Sequence, residues 1–263
     1  MSLSTVIPLS SCGNNIVREN FLENQAKEKL QAVGISPSVI PNSMRSIQLV
    51  IYNRVVNGVG FRNVNGGIEC FSTQLIDMLY QQDRSLKQYR SLQQRKALER
   101  NMKNFRFPLR KEAEKLLNSE EQEKEMTDCA IMPFSTVTLK SPGVLAFPKK
   151  KGKRTKKCCL FTNFLDYLSY KTILMNSGSP RLEDCDCLVM NNVVNFSTFV
   201  LDSEEYEHVL CFFPKTDIGN TMFMTLRSRR KSAVVNMSNI YKDSLSINEY
   251  VISKTMSGYE QKV

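Results

Sequence analysis

Tryptophan is absent from the 263 residues, and histidine occurs once, as His208. Without tryptophan, a stacking platform for unpaired bases falls to Tyr89, Phe105 and Phe107, in or just after a basic helical segment. With one histidine, any Cys–His or Ser–His catalytic pair must use His208. Long apolar runs are missing too: no stretch approaches the eighteen or so residues that a membrane-spanning helix requires. The opening residues, MSLSTVIPLSSCGNNIVREN, lack a basic n-region and interrupt their apolar residues with Ser and Pro, so no signal peptide is expected. Ser2 is incompatible with the N-myristoylation motif. Eight cysteines without a secretory route read as reduced thiols of the nucleus or cytoplasm, which is the expected location. No P-loop, H-E-x-x-H or G-x-S-x-G pattern occurs. Acidic pairs such as Glu120-Glu121 and Glu204-Glu205 lie in charge runs, where solvated surface is the default. These absences point to a non-enzymatic protein without cofactor or metal.

What is abundant is positive charge, and it is clustered. Hydrophobic residues make up 41% and charged residues 24%, an ordinary globular balance, yet the net charge is +10. Residues 84–111 hold ten basic side chains and one acidic; residues 140–157 hold eight basic and none acidic. Residues 112–128 reverse the sign, with seven acidic side chains and two basic.

The pattern of elements predicts an α+β protein with an N-terminal mixed segment, a long basic helical middle region and an antiparallel β-rich C-terminal module. A helix is expected through Ile16, Val17, Phe21, Leu22, Ala26 and Leu30, with Gly34 as C-cap. A β-hairpin is expected at Asn57-Gly58 and a second turn at Asn65-Gly66-Gly67. From about Cys70 to Asn104 there is no Gly or Pro, and Leu75, Leu79, Leu86, Tyr89, Leu98, Met102 and Phe105 mark a thin stripe. That suits a coiled coil or a helix lying on a partner, so protein assembly through 70–105 is one expectation. TNFLDYLSYKTILM reads as a helix, while DCLVMNNVVNFSTFVL, HVLCFFP, NTMFMTL, KSAVVNM and EYVIS read as short strands. The boundaries follow the texture: a helix plus β-hairpin segment at 1–67, a helical basic/acidic region at 68–128, a Pro/Lys-rich linker at 129–157 and a β-rich module at 158–263.

The stretch RVVNGVGFR, Arg54 to Arg62, resembles the acylphosphatase signature. The resemblance covers nine residues and implies a strand leading into a glycine-bearing loop that cradles a phosphate, with Arg62 holding the anion. The alternative is a hairpin with glycine at positive φ. Cys158, Cys159, Cys185, Cys187, His208 and Cys211 supply enough ligand types for zinc, but their spacing lacks the repeated C-x-x-C, and buried free thiols are the commoner explanation.

The densest cationic run is KKKGKRTKK, with seven basic residues in nine: Lys149, Lys150, Lys151, Lys153, Arg154, Lys156 and Lys157. Such a run fits a nuclear-import signal, phosphate contacts of a nucleic-acid binder, or an acidic protein surface. Abutting Cys158 and Cys159, it also fits a two-signal peripheral membrane contact with lipid on sulfur. A second cationic set lies on the helical segment: Arg84, Lys87, Arg90, Arg95, Lys96, Arg100 and Lys103. Ser232, in RSRRKS, is placed for a basophilic kinase. The favoured function is a binding or scaffold protein that engages a polyanion, nucleic acid first, through 84–111 and 149–157. The alternatives are a structural protein of a cytoskeletal, ciliary/flagellar or virion-matrix-type assembly, and a phosphatase-like enzyme centred on Arg62.

Overall fold

The computed structural model describes residues 6–7, 17–51, 54–75, 78, 136–150, 152–177, 184–229, 233–241 and 243–260. The chain divides into two compact units, residues 1–2 with 73–133, and residues 3–72 with 134–263. Of the first unit, residues 73–75 and 78 are described, all of them helical. The long basic helical region expected in the middle of the chain therefore lies outside the described residues, as does most of the 70–105 stripe. The second unit holds two sheets.

The first sheet has the order β1-β6-β5-β4-β3-β2. Its strands are β1 (Val6–Ile7), β2 (Val17–Phe21), β3 (Arg45–Ile51), β4 (Arg54–Arg62), β5 (Ile68–Phe71) and β6 (Val137–Leu139). All pairings are antiparallel except β1 with β6. The helix expected from Ile16 begins later: Val17–Phe21 is an edge strand, and helix α1 spans Asn24–Ala32. Its end matches the sequence reading. Gly34, at φ +81°, donates to Gln31, and Ile35 donates to Leu30, the paired bonds that close a helix in a left-handed residue. The hairpin expected at Asn57-Gly58 is displaced, because Ile51 pairs with Arg54 and the chain has already reversed there. Arg54–Arg62 is then one continuous strand, which removes the phosphate-cradling loop implied by the acylphosphatase resemblance. Gly58 and Gly60 serve close packing instead: a Cβ on Gly60 would lie 2.2 Å from the Glu69 carbonyl oxygen. The turn at Asn65-Gly66-Gly67 is where the sequence puts it, and the Asn63 side chain accepts from Asn65 and Gly67.

The second sheet corrects the expected fold class. Its order is β11-β10-β8-β9-β7, from β7 (Leu145–Phe147), β8 (Lys157–Phe161), β9 (Asp186–Val189), β10 (His208–Phe212) and β11 (Val234–Asn236). The four strands from β8 to β11 run parallel, and only the edge strand β7 is antiparallel. Parallel neighbours need crossovers. Helix α2 (Phe164–Ser177) joins β8 to β9, α3 (Phe196–Ser203) joins β9 to β10, and α4 (Asp217–Arg229) joins β10 to β11. FSTFVL, NTMFMTL and EYVIS, read as strands, are parts of α3, α4 and the C-terminal helix α5 (Ile247–Glu260). The architecture is mixed α/β, and the C-terminal module is not antiparallel. The stretch read as a linker, 129–157, carries strands β6 and β7.

An aromatic seam joins the two sheets. Phe61 of β4 meets Phe147 of β7 and Phe164 of α2 edge-on, each at 5.3 Å. Tyr167 of α2 stacks on Phe147 at 4.1 Å and meets Phe161 of β8. Each such pair adds about 1 kcal/mol to the area it buries. Beside the seam, Glu69 of β5 is fully buried and accepts from Asn63 (2.8 Å) and Thr138 (2.7 Å). Burial raises its pKa to about 7, against hydrogen bonds that lower it.

Two outcomes follow from this core. Replacement of Phe61 by alanine should cost about 4 kcal/mol in urea unfolding, with loss of both sheets in one transition. Because the Glu69 pKa is raised from 4.5 to about 7 on folding, its contribution is fully present below pH 4.5 and is lost as pH rises to about 7. Stability should therefore fall across that window by on the order of 3 kcal/mol, and Glu69→Gln should flatten the slope above pH 6, where Asp166, raised by burial to about 6, no longer contributes.

Candidate polyanion-binding site

In open sheets of parallel strands, ligands usually bind beyond the carboxyl ends of the strands, where the strand order reverses. Here that point lies between β8 and β10, and the chain itself fills it. Tyr241 is fully buried there, and its hydroxyl donates to the Phe213 carbonyl at 2.7 Å. Lys215 donates from Nζ to Tyr241 and from its backbone N–H to Leu245. Asp166, capped onto Asn163 at the start of α2, accepts from the Asn248 backbone N–H near the start of α5. The carboxyl edge is closed by the segment from Ser238 to Asn248.

The opposite, amino-terminal edge carries the basic run. Strand β7 leads into it and β8 leaves it, so residues 148–156 form a connection between two strands of one sheet. Lys150 and Lys153 pair as an isolated antiparallel bridge, with the Lys153 N–H donating to the Lys150 carbonyl. Gly152 stands at the third position of this four-residue turn with φ +75°, a conformation that glycine adopts without strain. The turn is fastened from below. Asp186, at the start of β9 and 2% exposed, accepts from the Lys149 N–H (2.8 Å) through one oxygen and from the Thr155 N–H (3.0 Å) through the other. Thr155 Oγ1 accepts from the Asp186 N–H and donates to the Lys157 carbonyl. A cationic run that reads as a loose linker is thus pinned at both ends by one carboxylate.

Its charge is also partly answered from within. Arg154 pairs with Glu205 and lies over the Tyr206 ring, 5.4 Å from its centre. Lys156 pairs with Glu207 at 3.0 Å, and Lys149 approaches Asp184 at 3.9 Å. All these groups are largely exposed, so each pair holds weakly. Lys150 and Lys153, exposed at the tip, have no acidic partner among the described residues. Beside the tip lies an open cavity of about 380 Å³ whose lining includes Phe147, Pro148 and Tyr206 together with Lys150, Lys153 and Arg154. Sequence reasoning missed Asp186, Tyr206 and Phe147. The SEEYE motif around Glu205 was read as solvated surface, and nothing local to it signals that it folds back against the cationic run.

The other expected site residues are placed as follows. Cys158 and Cys159 are fully buried in the central strand β8, so a lipid on either sulfur requires the sheet to open. Cys159 and Cys185 approach to 3.3 Å between sulfurs, and burial pushes the Cys158 and Cys159 thiols well above their ordinary range. Cys211 is buried on β10, whereas His208, three residues earlier on the same strand, is exposed. Among the described residues no group of three or more His, Cys, Asp or Glu is arranged to hold a metal ion, and no helix is long and apolar enough to cross a membrane. Arg62 is ion-paired with Glu19, its Nε donating at 3.0 Å, and so its guanidinium is engaged across the sheet rather than closing an anion loop. Lys151, Ser232 and the cationic set Arg84, Lys87, Arg90, Arg95, Lys96, Arg100 and Lys103 lie outside the described residues.

No protein family and no curated protein matches the chain. Among solved structures it is similar to the primase fragment of the bacteriophage T7 primase-helicase protein, with 10% identity and a TM-score of 0.41. The match covers 95% of this chain and 76% of that one. A likeness at this level assigns the chain neither a family nor an activity. The expectation of a non-enzymatic protein rests on missing motifs alone and is withdrawn.

The fastening of the turn makes a direct prediction. Asp186→Ala leaves two backbone N–H groups without their charged acceptor and should lower stability by about 3 kcal/mol. Limited trypsin digestion should then cut between residues 149 and 157 well before the wild-type protein is cut there. Equal cleavage rates would show that Asp186 does not hold the turn.

Proposed function

We propose that the 149–157 connection is a contact surface for nucleic acid, with Lys150 and Lys153 making the principal phosphate contacts. The observation that carries this reading is a pair of exposed lysines without acidic partners among the described residues, held at the tip of a turn whose ends are fixed by a buried carboxylate. Fixing the turn lowers the ordering cost that a mobile lysine loop incurs on binding. Arg154 and Lys156 add positive potential but must exchange Glu205 and Glu207 for phosphate. Contacts of this kind neutralise the backbone and displace counterions without reading sequence. The second basic segment, 84–111, belongs to the same proposal on charge alone. The burial of Cys158 and Cys159 favours nucleic acid over a lipid-anchored membrane contact.

Fluorescence anisotropy on labelled duplex DNA across a salt series tests the proposal. Log affinity should fall linearly with log salt. The double charge reversal Lys150→Glu with Lys153→Glu should lower affinity on every sequence and reduce the slope by about 2. Lys156→Glu, whose partner is already acidic, should cost less than either tip substitution. Binding indifferent to salt, or unchanged by the double reversal, would overturn the reading.

A further inference from the structure

We propose that the cavity beside the basic turn receives a single unpaired nucleotide unit, so that this surface prefers single-stranded to duplex nucleic acid; the inference rests on the reading just given. A surface that only tracks phosphates needs cations and no cavity. Here three cations, Lys150, Lys153 and Arg154, line one cleft together with the aromatic and apolar residues Phe147, Pro148 and Tyr206. That combination matches a ligand with a flat apolar body and an anionic group a few ångströms away, which is the chemistry of a base with its own phosphate. The volume, about 380 Å³, sits at the lower end of small-molecule clefts and suits one nucleotide rather than a helix.

The stacking elements are already ordered. Phe147 is held flat by Tyr167, whose ring lies parallel to it within 8° at 4.1 Å. The Arg154 guanidinium, which lies over the Tyr206 ring, presents a second planar face, and guanidinium planes and aromatic rings both stack on unpaired bases. Among the described lining residues the one carboxylate, Asp186, has both oxygens engaged by the Lys149 and Thr155 N–H groups. In a duplex the base is stacked and paired, and bringing it into the cleft costs a few kcal/mol. In a single strand that cost is largely absent.

The test compares a short oligothymidylate with a duplex of the same length, both by anisotropy at physiological salt. The single strand should bind about tenfold more tightly. Ala146, exposed on strand β7 and part of the cavity lining, provides the variant. Ala146→Trp should fill the cleft and bring single strand and duplex to parity. Ala146→Leu, a milder filling, should move the preference in the same direction if the larger residue destabilises the sheet. Thymidine 5′-monophosphate should compete with the oligonucleotide on the wild type and lose that competition on the filled variants. Equal affinity of the wild type for both forms, or a preference that survives filling, overturns this inference alone. Absence of salt-dependent binding to either form overturns the reading beneath it as well.

Discussion

One buried carboxylate determines what the cationic run can be. Asp186 is sealed into the second sheet, and its two oxygens each take a backbone N–H from an opposite end of the turn. A carboxylate in that position is stable only because both oxygens are satisfied. The dependence is mutual: the turn needs the carboxylate for its shape, and the carboxylate needs the turn in order to be buried. The tip lysines therefore project from a defined place on the sheet instead of sampling solvent on a tether.

The sheet that carries this arrangement is itself held by its faces. Strands β8 and β9 are buried nearly end to end, β10 largely so, and the Phe61–Phe147–Tyr167 seam fastens the edge strand β7 to the first sheet. Tyr241 and its neighbours cover the carboxyl edge, and the amino-terminal edge carries an open cavity. The position of the candidate site thus follows from what the rest of the unit has already filled.

Much of this was legible in the residues, and the misreadings have physical causes. The closing Gly34, the turn at Asn65-Gly66-Gly67 and the helix through TNFLDYLSYKTILM depend on interactions within a few residues, and they stand where local signals put them. Of the second sheet, β9, β10 and β11 fall within segments that read as strands, whereas β7 lies in the expected linker, β8 is not among those segments, and the parallel direction is missed. CCLF, CLVM and VLCFF are unbroken apolar runs rather than alternating ones, which is the mark of strands covered on both faces and hence of a parallel sheet. FSTFVL and NTMFMTL misled because a short apolar run is compatible with either period, and the crossover requirement that makes them helical is a property of the sheet, not of the run. The cationic turn was legible as charge. Its anchor Asp186 lies about thirty residues away and its acidic neighbours about fifty, so nothing in the run itself announces them.

Those neighbours have a consequence of their own. Glu205 and Glu207 pair with Arg154 and Lys156, standing where the proposed polyanion would place its phosphates. An incoming anion must outcompete carboxylates that are already at hand, at the high effective concentration of groups on the same chain. In the proposed contact, a lone small anion gains little from that exchange, whereas a polymer that engages Lys150 and Lys153 first can displace those carboxylates one after another. On the proposed reading, the patch responds to the length of a polyanion more than to its charge alone.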